Sequence, residues 1–183
     1  ITPEQQVPPE PLDVPWESCI TMGTGFSYRY DDTYKSPREL IHLLVNVVAR
    51  GGNLALNVAP GPDGRLPRPA VERMDAMGAW LKKNGEAIYG TRVARPSSVE
   101  GFGGTTAFTG KKGVTYAIRL WKEGQFGVRR LVLPAEAPEG VRKVVHLASG
   151  RPVPFRVAEK ALAVELPDGV TSDAFADAFR LER

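Results

Sequence analysis

Up to Arg92 the sequence has helical and strand periodicities in turn, and beyond it only short β-like runs remain, so one chain combines two architectures. Ser36-Pro37-Arg38-Glu39 has the form of a capping box with proline at the first helical position. Leu40, Leu43, Leu44, Val47 and Val48 follow on one face at helical spacing, and Gly51-Gly52 ends the pattern. Residues 53–59 then set Leu54, Leu56 and Val58 on one side and Ala55, Asn57 and Ala59 on the other. That is a strand with one bulky face and one small or polar face. Pro60-Gly61-Pro62-Asp63-Gly64 reads as a turn. A second helix is expected from about Pro69, with Val71, Met74, Gly78 and Leu81 inward and Asn84-Gly85 at its end. Helix, strand and helix of this kind suit one portion of a barrel with helices packed outside. A complete eight-stranded barrel takes about 250 residues, so this portion cannot close on itself.

After Arg92 the β-like runs fall at 105–108, 114–121, 130–133, 143–147, 162–166 and 176–181, separated by Gly, Pro and Asp. Such regular spacing predicts an antiparallel β-sandwich of about ninety residues. The boundary is placed within residues 91–97, giving a barrel portion over 1–92 and a sandwich over 93–183. The expected fold class is therefore α/β plus all-β: the last strands and helices of a (β/α)8-like barrel followed by a sandwich domain. Pro-rich residues 7–15 read as a loop laid across a surface.

A hydrophobic fraction of 42% over 183 residues is enough for a real core. No run of eighteen apolar residues occurs, so no membrane span is expected. Cys19 is the one cysteine and can form no internal disulfide; it reads as a small buried apolar residue. The net charge of +3 comes from scattered Lys and Arg, with Lys111-Lys112 and Arg129-Arg130 the densest pairs, and no nucleic-acid partner is expected. His42 and His146 lack metal-ligand company in the sequence, and neither a phosphate-cradling glycine loop nor a nucleophilic serine elbow is present. Near the N-terminus the chain offers Glu4, Glu10, Asp13 and Glu17, all before the first helix. Spacing alone does not rank them, because loop residues have no fixed facing.

Five segments carry a more specific signal. They are Ile1-Thr2-Pro3-Glu4-Gln5, Pro15-Trp16-Glu17-Ser18-Cys19 and Gly25-Phe26-Ser27-Tyr28, then Gly51-Gly52-Asn53-Leu54-Ala55-Leu56-Asn57-Val58-Ala59-Pro60, and last Trp80-Leu81-Lys82-Lys83-Asn84-Gly85-Glu86-Ala87-Ile88-Tyr89-Gly90-Thr91-Arg92. Together they resemble the retaining α-L-fucosidases of glycoside hydrolase family 29. The resemblance is strong from Thr2 to Arg92. Beyond Arg92 it rests on the expected sandwich, with Tyr116-Ala117 similar to a strand of that domain.

Retaining glycosidases use two carboxyl groups about 5 to 5.5 Å apart, one attacking the anomeric carbon and one acting as acid and then base. The resemblance implies that Glu4 is the acid/base, in a barrel-lined pocket that desolvates it. It also makes Glu17 the second candidate, either catalytic or orienting pocket groups, and gives Trp16 as an apolar wall; a plain core anchor is the competing reading of Trp16. Phe26 matches the aromatic that packs on the C5 methyl side of fucose, with Ser27 in place of the usual glycine. Asn57 is a candidate to brace the catalytic glutamate, and Ala55 and Ala59 depart from the family's Leu and Gly. Glu86 reads as a structural cap or ion-pair partner.

The family's nucleophile is an aspartate on an earlier barrel strand, and its sugar-holding histidines come from strands earlier still. The chain is therefore expected to lack the nucleophile-bearing half of the barrel, to be inactive alone, and to have that polypeptide as a partner covering the apolar faces of its helices. The substrate implied is a terminal α-L-fucoside on a glycan or glycoside, and no metal or organic cofactor is implied. The family setting is periplasmic, extracellular or lysosomal; the residues leave compartment and oligomeric state open, a homo-oligomer included. The rival expectation is a noncatalytic carbohydrate-binding or interaction module. Exposed Phe102, Trp121 and Phe126 on one sheet face would support it, and burial between sheets would remove its basis.

Overall fold

Capping fixes where the first helix begins. The Ser36 hydroxyl accepts from the Glu39 amide at 3.2 Å while Glu39 Oε2 accepts from the Ser36 amide at 2.7 Å, and α1 runs Pro37–Ala49. The computed structural model describes residues 1–101, 104–135 and 140–183. The buried face of α1 is Leu40, Ile41, Val45, Val47 and Ala49. The predicted Leu43, Leu44 and Val48 are only half-buried. The stripe is turned because α1 is covered by β-structure as well as by the second helix.

Strand β1, Glu17–Thr21, pairs in parallel with β2, Asn53–Asn57, from Glu17 opposite Asn53 to Thr21 opposite Asn57. On the other flank of β1 the chain's first residues join in. The Glu17 amide donates to Ile1 O at 3.1 Å, the Cys19 amide to Pro3 O at 3.0 Å, and the Gln5 amide to Cys19 O at 2.9 Å. Glu4 stands in a parallel bridge with Cys19. Residues 1–5, β1 and β2 thus lie side by side as three parallel segments in sequence order, which is barrel-like local topology.

Helix α2, Arg68–Asn84, buries Ala70, Met77, Trp80 and Asn84; of the predicted stripe, Met74 and Leu81 are half-buried against the core, while Val71 and Gly78 face solvent. The reason is Trp80. Its indole Nε1 donates 2.8 Å to Ala176 O on a sandwich strand, which fixes the rotation of the helix.

Among the described residues nine strands follow: β3 Arg92–Gly101, β4 Gly104–Lys111, β5 Val114–Leu120, β6 Arg130–Pro134, β7 Lys143–His146, β8 Arg151–Pro152, β9 Phe155–Ala158, β10 Ala161–Glu165 and β11 Ala176–Glu182. They form a six-stranded sheet, β3-β4-β5-β11-β7-β8, and a three-stranded sheet, β6-β10-β9, with all sandwich pairings antiparallel. Each of the six predicted runs is a strand.

The six-stranded sheet is covered on both faces, and strand alternation shows how. Tyr116, Ile118 and Leu120 of β5, with Ala176 and Ala178 of β11, pack against Leu40, Ile41, Met77 and Trp80 of the helices. Ala117 of β5 and Phe179 and Leu181 of β11 face the other way, onto Leu133 and Leu162 of the three-stranded sheet. Each fully buried Leu, Ile or Phe side chain contributes about 1.5 to 3 kcal/mol. The apolar faces of α1 and α2, expected to lie open for a partner, are therefore sheathed by this chain's own sheet.

Two polar networks seal these layers. Glu86, in the short 3-10 turn Gly85–Ala87, accepts from Tyr116 Oη at 2.9 Å and from Arg180 Nη1 at 3.0 Å, the ion-pair role read from the sequence. Burial, then the bond and charge of Glu86, push the Tyr116 phenol up to about 12. His146 is a buried residue with two side-chain partners that the sequence did not indicate. Its Nε2 lies 2.9 Å from Asp177 Oδ1 and its Nδ1 lies 3.0 Å from Ser149 Oγ, while Trp121 Nε1 donates to Asp177 Oδ2 at 2.6 Å. His42 is a packing residue; its Nε2 lies 2.9 Å from Phe175 O, and burial holds its imidazole below the usual histidine value.

Candidate active site

Parallel strands present their C-terminal ends together, and in α/β barrels loops at that end carry the chemistry. Glu4 and Gln5, Thr21, and Asn57 mark that end in the three parallel segments. Paired residues of neighbouring strands share a face, so Glu4, Cys19 and Ala55 fall on one side, with Thr21 and Asn57 two residues on. The opposite side carries Ser18, Ile20, Leu54 and Leu56, with Ser18 and Ile20 buried.

The segment that bears Glu4 is clamped. Gln5 sits at φ 55°, in the left-handed region that costs a non-glycine residue of order 1 kcal/mol or more. Its side chain compensates: Nε2 donates to Thr21 Oγ1 at 3.1 Å and Oε1 accepts from the Thr21 amide at 3.2 Å. The Thr21 hydroxyl in turn donates to Gly23 O at 2.8 Å, and Lys35 Nζ donates to Thr21 O at 2.7 Å. Sequence reading did not single out Gln5, Thr21 or Lys35. Their only signal was position, directly after the glutamate and at the strand end.

Phe26 belongs to the loop that leaves β1 and is 41% exposed. That loop is tied at its base by Asp32, whose Oδ1 accepts from the Thr24 amide at 2.9 Å and the Thr24 hydroxyl at 2.6 Å. Those bonds hold the Asp32 carboxyl below its ordinary range. Gly23 is required there, because a Cβ would stand 1.9 Å from Asp32 Oδ2.

Trp16 and Glu17 lie elsewhere. They sit at the N-terminal end of β1, a strand's length below Thr21. Trp16 is 3% exposed, donates from Nε1 to Arg50 O at 3.2 Å, and covers Gly52 so closely that a Cβ there would be 2.5 Å from the ring. It anchors the α1–β2 junction and is no open apolar wall. Glu17 is exposed, opposite Asn53. Glu4 is exposed as well, so the desolvation expected of it is not supplied by this chain's own residues. Asn57 accepts the Met22 amide through its carbonyl at 2.9 Å, tying β2 to the Phe26 loop.

Two of the three aromatics that a glycan-binding module would need do not form a platform. Trp121 is 4% exposed, within the inter-sheet core, and Phe126 is 42% exposed in a loop with the Arg38 guanidinium 5.7 Å from its ring centre. Phe102 lies outside the described residues.

Comparison with known proteins follows the same lines. A sequence model described as alpha-L-fucosidase matches residues 1–86. The plasma alpha-L-fucosidase of Rattus norvegicus is 36% identical over 159 residues, 83% of this chain and 34% of the relative. Among solved structures, alpha-L-fucosidase isoenzyme 1 from Paenibacillus thiaminolyticus aligns with a TM-score of 0.82 and 28% identity, over 98% of this chain and 44% of that one. A Thermotoga maritima alpha-fucosidase in complex with fucose aligns at 0.75 and 29%, over 92% and 40%. The chain spans about a third of the length of the curated relatives it matches. Sequence motifs, parallel segments and sandwich agree with these relatives, and the chain is similar to the C-terminal portion of the α-L-fucosidases.

Proposed function

We propose that the complete protein hydrolyses terminal α-L-fucosides with retention of configuration, and that residues 1–92 are the closing portion of its barrel. Glu4 is the acid/base: it protonates the departing glycosidic oxygen, then takes the proton from the water that opens a fucosyl-enzyme ester. The attacking carboxylate is an aspartate from polypeptide outside this chain. The observation that carries the reading is the pairing of residues 1–5 with β1, which sets Glu4 at the C-terminal end of a parallel strand rather than on a loose terminus.

Further residues support the pocket. Phe26, on the loop tied by Asp32 to Thr24, offers a flat apolar surface to the C5 methyl of fucose. Galactose would have to strip its C6 hydroxyl of water there, which disfavours it. A closed barrel around Glu4 would supply the desolvation a proton donor needs near neutral pH. Glu17, a strand's length below at the N-terminal end of β1, is not placed to serve the leaving group.

The test is the first-formed product. Proton NMR of the complete protein acting on an aryl α-L-fucoside should show α-fucose before mutarotation. Initial release of β-fucose, or no hydrolysis at all, would overturn the proposal.

A further inference from the structure

A cleft of about 820 Å³ opens at one end of the sandwich, away from Glu4. Its volume is that of a small-molecule pocket. Its floor is the uncovered end of the inter-sheet core, where Val99, Phe108, Val141 and Leu181 line it. Its rim is cationic. Arg92 and Arg95 come from β3, Lys111 and Lys112 from the β4–β5 hairpin, Lys160 from the β9–β10 turn, and Arg183 from the last described position.

No Asp or Glu is among the described residues that line it. Lys111 Nζ donates to Tyr89 O at 3.1 Å and Arg92 Nη1 to Thr91 O at 2.9 Å, both carbonyls. Arg95, Lys112, Lys160 and Arg183 are exposed and form no ion pair with a described acid, whereas Arg129, Arg130, Lys143 and Arg180 elsewhere on the sandwich each do. Six like charges gathered within roughly one or two screening lengths repel one another, and an anion in their midst relieves that repulsion. A neutral sugar is a poor fit. The described lining offers no Asn, Gln or carboxylate to hold hydroxyls, and the one aromatic among those residues, Phe108, is buried.

We propose that this cleft binds a small amphipathic anion: a carboxylate, sulfate or phosphate group held by the rim, on an aliphatic or aromatic body that enters between the sheets. The proposal is independent of the hydrolase reading, because no residue of the parallel segments takes part in it.

Calorimetric titration with decanoate, below its micelle concentration, tests it on the full chain. One site with Kd below about 1 mM is expected. Decyl glucoside, which keeps the tail and loses the charge, and inorganic sulfate, which keeps the charge and loses the tail, should each bind at least about tenfold more weakly. The doubly substituted Lys112→Glu, Lys160→Glu protein should lose about tenfold or more in affinity for decanoate with its circular dichroism unchanged. Amide and methyl shifts in the unsubstituted protein should move at Val99, Phe108, Val141 and Leu181, a readout that holds even if the substituted protein fails to fold. Equal binding of decanoate and decyl glucoside, equal binding of decanoate and sulfate, undiminished binding by the folded double variant, or shifts confined to other surfaces would each overturn the proposal.

Discussion

Gln5 and Thr21 are joined twice: the Gln5 amide nitrogen donates to the Thr21 hydroxyl at 3.1 Å, and its amide oxygen accepts from the Thr21 backbone at 3.2 Å. The pair couples the segment bearing Glu4 to the strand end from which the Phe26 loop departs. It also holds Gln5 in a backbone conformation that its side chain alone would not favour.

Removing that clamp should misplace Glu4 without removing it. In the complete protein, Gln5→Ala is expected to lower kcat by about tenfold to a hundredfold on fucosides with poor leaving groups. Activated aryl fucosides, which need little proton donation, should lose far less, and KM should change little. Equal losses on both substrate classes would show that Gln5 serves the fold and not the placement of the acid.

Gly52 lies under the Trp16 ring, where a Cβ would approach to 2.5 Å. Gly52→Ala should therefore destabilise the chain by about 1 to 3 kcal/mol through overpacking. Trp16→Ala should cost about 3 to 5 kcal/mol through the cavity it leaves. Denaturant unfolding of the two variants and their double mutant should show coupling, because the alanine methyl of Gly52→Ala fits once the ring is gone.

Tyr116 and Glu86 give the stability a pH signature. The Tyr116 phenol is raised to about 12 by burial and by its bond to Glu86, from an ordinary value of 10.0. The folded state thus holds that proton more tightly than the unfolded chain. Its contribution is complete below pH 10 and is lost as pH rises from there through about 12. Burial pushes the Glu86 carboxyl up, but the bonds from Arg180 and Tyr116 outweigh it and hold it below 4.5. A depressed acid contributes above its unfolded value and loses that contribution as pH falls. Tyr116→Phe should flatten the alkaline limb of a stability profile and leave the acid limb sloping; an unchanged alkaline limb would contradict this assignment.

The Trp121–Asp177–His146–Ser149 network is fully satisfied and, at its centre, buried. Asp177→Ala leaves an indole N–H and an imidazole without their acceptor, and about 3 kcal/mol or more of destabilisation is expected. Thermal unfolding of the variant is the check.

The two helices, β2 and six sandwich strands were legible because each is a local pattern: a capping box, a glycine stop, alternation bounded by turn residues. The buried stripes of α1 and α2 were misjudged because their orientation is set from outside. Trp80 reaches Ala176, nearly a hundred positions further on, and no helical period encodes that bond. β1 was not legible from periodicity, because it exposes Glu17 at its start and follows directly on a Pro-rich loop. β3 was hidden by Pro96 and a register shift between Val93 and Ser98. In the candidate site, Glu4 was ranked by motif, and strand pairing supplied its place. The motif left Trp16 between wall and core anchor because it gives a residue's identity and not which end of a strand it occupies. Asp177 escaped because thirty-one positions separate it from His146.

The role of Glu4 as proton donor is tested most directly by replacing it with alanine in the complete protein and adding azide. An acid/base variant should keep near-native formation of the fucosyl-enzyme with a dinitrophenyl leaving group, stall on alkyl fucosides, and turn over the dinitrophenyl substrate faster with azide as it releases α-fucosyl azide, the retained product of attack on that intermediate. Undiminished hydrolysis of alkyl fucosides by Glu4→Ala, or a uniform loss that azide does not relieve, would contradict the assignment.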